Sequence, residues 1–159
     1  MSDIHIRDAV AGDVRAVAVI AHESAEAHAA LDPRFYDVPD MEESVRRAER
    51  HLREEDRTTL VAVAGTHVVG FVGLVTMPAP AAGSMVRATR AVEIGIAVSA
   101  GHRGEGIGRA LMEAAEDRAA RDGVELLTVN AHAANDPALR LYRSMGYEPL
   151  GVFLHRWIE

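Results

Sequence analysis

The segment Val98-Ser99-Ala100-Gly101-His102-Arg103-Gly104-Glu105-Gly106-Ile107-Gly108-Arg109 is the part of this sequence best suited to chemistry. It places Gly104, Gly106 and Gly108, with two arginines, where a strand pattern gives way to a helix pattern. Glycine removes the side chain that would hold an anion away from the backbone, and it permits positive φ. The first N–H groups of a helix lack internal partners and lie at the positive end of its dipole. A phosphate or pyrophosphate is the ligand such a turn accepts, with Arg103 and Arg109 able to add charge-assisted contacts. The competing reading is a glycine-rich turn that only packs tightly. Two other phosphate motifs fail on the letters. A dinucleotide fingerprint starting at Gly104 needs glycine where Arg109 stands, and a Walker loop needs lysine, of which the sequence has none.

The elements that must position this turn follow from periodicity. Ile4-His5-Ile6-Arg7 alternates and reads as a first strand. Asp13 opens a helix to about residue 29, with Val14, Val17, Ala18 and Ala21 on one face. After an irregular connection with two prolines, Asp40 and Glu43 predict a capping box for a helix over residues 41–54. Its Glu42/Arg46, Glu43/Arg47 and Glu49/Arg53 spacings suggest a solvated face. Strands are predicted over 59–64 and 68–76, turning at Ala64-Gly65-Thr66-His67, and over 91–98. A helix over 107–121 ends before Gly123, a strand covers 125–130, and a helix over 137–145 ends at Gly146. This order means an α/β domain whose first half is mostly antiparallel.

Composition narrows the function. A chain of 159 residues is one domain, 1–159. The absence of cysteine excludes disulfides, thiolate metal sites and cysteine nucleophiles. All 17 basic residues are arginine, which removes Schiff-base catalysis. A net charge of −7 disfavours a nucleic-acid partner, whose phosphates need neutralising. Met1-Ser2-Asp3-Ile4-His5 lacks the features of a signal peptide, so a cytoplasmic location is expected. No formal charge occurs from Thr58 to Val86, yet Gly65, Pro78 and Pro80 interrupt that stretch. A membrane helix needs about 20 consecutive apolar residues, so no membrane association is expected.

Two motifs in these elements resemble a known family. Arg103-Gly104-Glu105-Gly106-Ile107-Gly108, preceded by the apolar Ile96-Ala97-Val98, is similar to the R/Q-x-x-G-x-G/A acetyl-CoA signature of the GNAT N-acetyltransferase superfamily. Asn135-Asp136-Pro137-Ala138-Leu139-Arg140-Leu141-Tyr142-Arg143-Ser144-Met145-Gly146-Tyr147 is similar to the family's N-x-x-A-x-x-L-Y-x-x-x-G-F/Y segment, at the expected separation. The resemblance is specific from about Glu93 to Tyr147 and weaker before it. It implies an α+β mixed sheet of six or seven strands flanked by four helices, with two central strands splayed around CoA. It also implies acetyl-CoA as cosubstrate. The strand Ile96-Ala97-Val98 would line the pantetheine arm, with the backbone groups of Ile96 and Val98 pairing to it. The N–H groups of Arg103, Gly104, Glu105, Gly106, Ile107, Gly108 and Arg109 would take the pyrophosphate. Asn135 would touch the pantetheine, and Tyr142 would sit near the sulfur.

Acetyl transfer to an amine requires a neutral amine, a polarised thioester and a stabilised thiolate. An amine of pKa about 10.4 is neutral in roughly one molecule in 2500 at pH 7, so removing its proton is worth about 4.6 kcal/mol. Glu93 is the first candidate base: it alternates with Gly95 and Ala97, away from the apolar positions, where a substrate could approach. The competing reading is a solvent-facing glutamate or an arginine partner. Some relatives carry a second carboxylate at the place of Asn130, and an amide cannot serve. His132, on the same face, is a lesser candidate base. Tyr142 can donate to the departing thiolate, because a phenol of pKa about 10 is protonated at pH 7; the alternative is a packing aromatic. His22 and Glu26 could face an acceptor that Phe35 and Tyr36 would wall. The other histidines show no metal-ligand spacing, so no metal is expected.

The segment after Gly146 is short for this family. Val152, Leu154, Arg156 and Ile158 alternate with Phe153, His155, Trp157 and Glu159, which predicts one strand. An unpaired apolar edge favours association, so a homodimer is expected, with Trp157 in the core or the contact. The combined reading is an acetyl-CoA-dependent N-acetyltransferase in which an amine acceptor attacks the thioester directly in a ternary complex. The alternative is a non-catalytic acyl-CoA-binding or regulatory module.

Overall fold

In the computed structural model, Ile4–Asp8 forms β1, as the opening alternation predicts. The structure describes residues 4–158; Met1-Ser2-Asp3 and Glu159, on which part of the terminal readings rest, lie outside the described residues. A 3-10 turn, Ala11–Asp13, leads into α1, Val14–Leu31. Asp13 does not cap α1 with its side chain. It turns back to Arg7, with oxygen–nitrogen distances of 2.7 and 2.9 Å, and accepts the Val10 N–H at 2.8 Å. Only 6 % exposed, Asp13 ties the first strand to the first helix, and the Arg7 guanidinium holds its carboxyl below the usual carboxylate range.

Helix α2, Met41–Arg53, starts where Asp40 accepts the Glu43 N–H at 2.8 Å. Only this half of the predicted capping box forms, because the Glu43 carboxylate accepts from Arg46 instead, at 2.9 Å. Glu42 also pairs with Arg46; the expected Glu43/Arg47 and Glu49/Arg53 pairs are not among the ion pairs of the described residues.

Strands β2, Arg57–Ala64, β3, His67–Thr76, and β4, Ala91–Val98, match the alternating patterns and continue the sheet. Helix α3, Ile107–Arg121, β5, Leu126–Val129, and α4, Asp136–Ser144, complete the described elements. The sheet order is β1-β2-β3-β4-β5, antiparallel through β4 and parallel between β4 and β5. Period-two alternation divides the side chains between two faces. Val72, Leu74, Val92 and Ile94 pack with Ile107, Leu111, Met112, Ala115 and Tyr142 on the α3–α4 side. Val61 and Val63 pack with Val17, Ala18 and Ala48 on the α1–α2 side.

The mixed sheet and the four helices agree with the expected fold, but five strands form among the described residues rather than six or seven. The strand expected over the last residues does not form: residues 148–158 have no strand pairing among the described residues. Alternation supplies two faces, but a strand also needs a neighbour to bond to, and no described backbone group bonds to this segment.

Candidate active site

The site is a break in the sheet beside the glycine turn. Pairing of β4 with β5 runs from Ala91↔Leu126 to Ile94↔Val129 and stops, while β4 continues to Val98 along β3. The direction of the β4 backbone groups follows from the bonds at its ends. Met77 N–H donates to the Ala91 carbonyl and Ser99 N–H to the Val69 carbonyl, both at 2.9 Å. Odd-numbered positions of β4 therefore turn their backbone groups to β3 and even-numbered ones away from it, because the bonding side alternates along a strand. Leu126 N–H donating to the Arg90 carbonyl at 3.2 Å agrees with that assignment. The N–H and C=O groups of Ile96 and Val98 thus face the gap that β5 has left. Their side chains, like those of Val92 and Ile94, lie on the core side; Glu93, Gly95 and Ala97 lie on the opposite face.

The turn itself is fixed from three directions. Ser99 is bonded to β3, Ala100 N–H donates to the Glu23 carboxylate of α1 at 2.8 Å, and Arg103 Nε donates to the Val98 carbonyl at 3.1 Å. Gly104 and Gly106 have φ of +82° and +84°, which side chains rarely adopt. The ladder of α3 begins with Ala110 N–H donating to the Gly106 carbonyl at 3.1 Å, so the N–H groups of Ile107, Gly108 and Arg109 precede it. Gly108 has a different task. A Cβ there would stand 3.4 Å from Leu141 Cδ2, so the position lies against α4. No atom lies within 4 Å of a Cβ built at Gly104 or Gly106, so the backbone there is open to a ligand.

The arginines are less free than the spacing suggests. Arg109 Nη2 donates to Ser144 Oγ at 2.6 Å, which ties α3 to α4, and Arg103 is turned to Val98. His102 and Glu105 face one another at 3.2 Å. The positive character of the turn therefore comes first from backbone N–H groups and the helix end.

A sequence model of the acetyltransferase (GNAT) family matches residues 24–147, most of the chain. The chain belongs to the GNAT family. Among curated GNAT relatives, streptothricin acetyltransferase of Streptomyces lavendulae is 44 % identical over 57 residues, which cover 36 % of this chain and 30 % of that protein. A solved structure of a mutant of the BH1408 protein from Bacillus halodurans is similar at a TM-score of 0.89 and 22 % identity, covering 98 % of this chain and 99 % of that one. AAC(6')-Iy, in complex with the bisubstrate analogue CoA-S-monomethyl-acetylneamine, is similar at a TM-score of 0.72 and 16 % identity, covering 99 % of each chain. At these identities the solved structures establish the fold.

The remaining candidates of this GNAT chain fall on two sides of the break. Glu93 is exposed on the open face, opposite Val75 of β3 and Thr128 of β5. The neighbouring positions across the sheet, Gly73 and Gly95, carry no side chain; the Arg57 guanidinium lies over Gly73, 3.7 Å from where a Cβ would stand, and the space over Gly95 is open. Tyr142 lies on α4, 8 % exposed in the core, with its ring 6.0 Å from that of Tyr147. Burial pushes its phenol above the ordinary tyrosine value, so it is protonated at neutral pH. Asn135 caps α4: its Oδ1 accepts the Ala138 N–H at 3.3 Å, and its own N–H donates to the His132 carbonyl at 2.8 Å.

His132 is poorly placed to act as a base. Its Nδ1 accepts the Ala134 N–H at 3.1 Å, which puts the proton of the neutral ring on Nε2, and Nε2 faces Asp32 at 3.5 Å. Both nitrogens are engaged. The pair instead joins the loop after β5 to the loop after α1. Tyr36 reinforces that junction, with its ring 5.8 Å from His132, 5.1 Å from His28 and 5.0 Å from Phe35. His22 and Glu26 approach to 3.8 Å on α1, and the Nδ1 of His22 is buried without a partner among the described residues.

Sequence reasoning missed Glu23, Asp32 and Ser144, each of which acts through a partner distant in the chain. No local spacing marks them. A concavity of about 480 Å³ at the other end of β4, reaching Thr76, Met77, Arg90 and Val124, involves none of the residues expected to hold a coenzyme. Among the described residues no helix is long and apolar enough to cross a membrane.

Proposed function

We propose that this GNAT protein is an acetyl-CoA-dependent N-acetyltransferase that carries an acetyl group to a primary amine by direct attack within a ternary complex. The observation that carries the reading is the coincidence of two sets of backbone groups turned to one gap, with one of these groups, the Val98 carbonyl, held by Arg103 Nε. The edge of Ile96 and Val98 faces the break in the sheet, and the N–H groups that open α3 stand at the end of the same strand. One suits an arm bearing amides, which can bond like a strand; the other suits a pyrophosphate. CoA carries both groups in that order, and Gly104 and Gly106 leave the backbone bare where the anion would lie.

The acetyl-CoA supplies an activated acyl carbon and a thiol leaving group. In the proposed reaction the Glu93 carboxylate takes a proton from the amine, directly or through water. As the new C–N bond forms, the C–S bond breaks, and the buried hydroxyl of Tyr142 donates to the departing sulfur. Because the chain holds no cysteine, a thiol cannot carry the acyl group in between. Ile96, Ala97 and Val98 would line the arm, Arg103 to Arg109 the pyrophosphate, and Asn135 would contact the pantetheine while it caps α4.

The acceptor we propose is a cationic amine. The net charge of −7 favours encounter with one. The relatives' names point the same way, being those of a streptothricin acetyltransferase and of an enzyme bound to a CoA-linked acetylneamine. We assign His22, Glu26, Phe35 and Tyr36 to the acceptor's side of the site. The test is release of CoA thiol from acetyl-CoA with a panel of small amines and lysine peptides, for wild type and Tyr142→Phe. Turnover with at least one amine, strongly reduced in the variant, is expected. Tight acetyl-CoA binding with no turnover on any amine would identify a binding module instead.

A further inference from the structure

Arg57 opens β2 in the row that ends at Glu93. The pairing sets Arg57 opposite Val75 and Val75 opposite Glu93, so the three side chains stand on one face of the sheet. Neighbouring strands lie about 4.8 Å apart, which puts the two charged residues roughly 10 Å apart at the backbone. The Arg57 side chain closes part of that span. Its Nη1 lies 3.7 Å from where a Cβ of Gly73 would stand, one row nearer the break, and Gly73 is buried beneath it. Gly73 pairs with Gly95, the first residue of β4 beyond its pairing with β5, and the space over Gly95 is open. A molecule reaching the break from this face therefore passes between a guanidinium and a carboxylate.

The guanidinium has donors to spare. Nε donates to the Glu54 carboxylate at 3.1 Å, and Nη1 and Nη2 make no hydrogen bond among the described residues. Neither is a buried orphan, so both reach solvent although the side chain is only 21 % exposed. Arg7, on the same face of β1, shows what such an edge takes: its Nη1 and Nη2 grip the two oxygens of Asp13 at 2.7 and 2.9 Å. Holding Glu54 and covering Gly73 leave the outer edge of Arg57 unused. A planar pair of N–H groups matches a carboxylate with two parallel bonds.

We propose that Arg57 determines specificity by binding a carboxylate of the acceptor, so that the preferred substrate is an amine bearing its own carboxylate, as an amino acid does. The inference rests on the acetyl-transfer reading above. The order of charges across the floor, guanidinium and then Glu93, is the complement of a zwitterion. The carboxylate docks on Nη1 and Nη2 of Arg57, and the ammonium turns to Glu93, which takes its proton. The acceptor remains a cationic amine at its reacting end.

The test compares L-lysine with cadaverine, the same diamine without the carboxylate, in thiol release from acetyl-CoA by wild type, Arg57→Gln and Arg57→Lys. The ratio of kcat/KM for the two amines is read, and its change between proteins cancels their own reactivity. Wild type is expected to favour L-lysine. The ratio should fall about fivefold or more in Arg57→Gln, the size of one hydrogen bond to a charged group. It should fall by less in Arg57→Lys, which keeps the charge. The edge that is altered touches solvent, so the circular dichroism of both variants should match wild type. Three results overturn the assignment of Arg57 and leave acetyl transfer standing: a wild type that favours cadaverine, a ratio that falls by less in Arg57→Gln, or an equal fall in the two variants. Thiol release with other amines of the panel but with neither of these two overturns it as well. Silence with every amine counts against acetyl transfer itself, and the role of Arg57 falls with it.

Discussion

The Glu23 carboxylate of α1 accepts the N–H of Ala100 at 2.8 Å, and so fastens the first helix to the turn that opens α3. The contact orients the turn without occupying any of the N–H groups that precede the α3 ladder. A hydrogen bond to a charged group at an accessible site contributes about 1 kcal/mol, or about fivefold in an equilibrium. Glu23→Ala is expected to weaken acetyl-CoA binding by about that factor in calorimetry. Glu23→Gln, which keeps an acceptor oxygen, should recover most of the loss.

The three glycines of the turn should separate by mechanism. Holding a side chain in the left-handed region costs roughly 1–2 kcal/mol, so Gly104→Ala and Gly106→Ala are expected to weaken acetyl-CoA binding about tenfold. Gly108 has no such φ, and its added methyl would meet Leu141 at 3.4 Å. Gly108→Ala should leave affinity within about threefold and the melting temperature equal or higher, because alanine favours the helix and meets only the end of the Leu141 side chain.

These contrasts also show where the sequence was legible. The span of β4 and the ends of α3 and α4 could be read because each is set by neighbours in the chain. Alternation marks the strand, and Gly123 and Gly146, at φ of +71° and +88°, stop the helices. The side chains of Asp13, Glu23 and Asp32 could not be placed, because each is decided by a partner that only the fold brings near. Asp13 had the type of a helix cap but found the Arg7 guanidinium, a stronger partner. His132 had the right type and face for a base, yet Ala134 N–H and Asp32 engage its two nitrogens. The terminal segment misled for the opposite reason: its spacing suits a strand, but among the described residues no segment pairs with it.

Glu93 and Tyr142 should differ in their pH dependence. Glu93→Gln is expected to lower kcat/KM about a hundredfold at pH 7, within the range of general-base effects. The deficit should shrink as pH rises toward the amine's own pKa of about 10.4, because the acceptor then arrives neutral. Tyr142→Phe should lower kcat tenfold or more at every pH from 6 to 9, since burial keeps the phenol protonated throughout that range. Its acetyl-CoA dissociation constant should match wild type. Steady-state thiol release across pH checks both.

Acid should loosen the junction between β1 and α1. The Asp13 carboxyl titrates below its unfolded value near 3.9. Its contribution is therefore complete above that value and is lost as pH falls through the lower folded value. Asp13→Asn is expected to destabilise the protein by about 2 kcal/mol at pH 7, since it removes the charge from a buried partner of Arg7. Wild type and variant should converge as pH falls below about 4. Urea unfolding at pH 7 and pH 3 measures both points.

Titration of acetyl-CoA into the wild-type chain and into Gly106→Val, by calorimetry, addresses the bare backbone of the turn most directly. We predict one-to-one heat for wild type and a loss of at least tenfold in affinity for Gly106→Val, with its melting curve still cooperative. No heat with wild type, or equal affinity in the two proteins, would contradict the assignment of the turn as the coenzyme site.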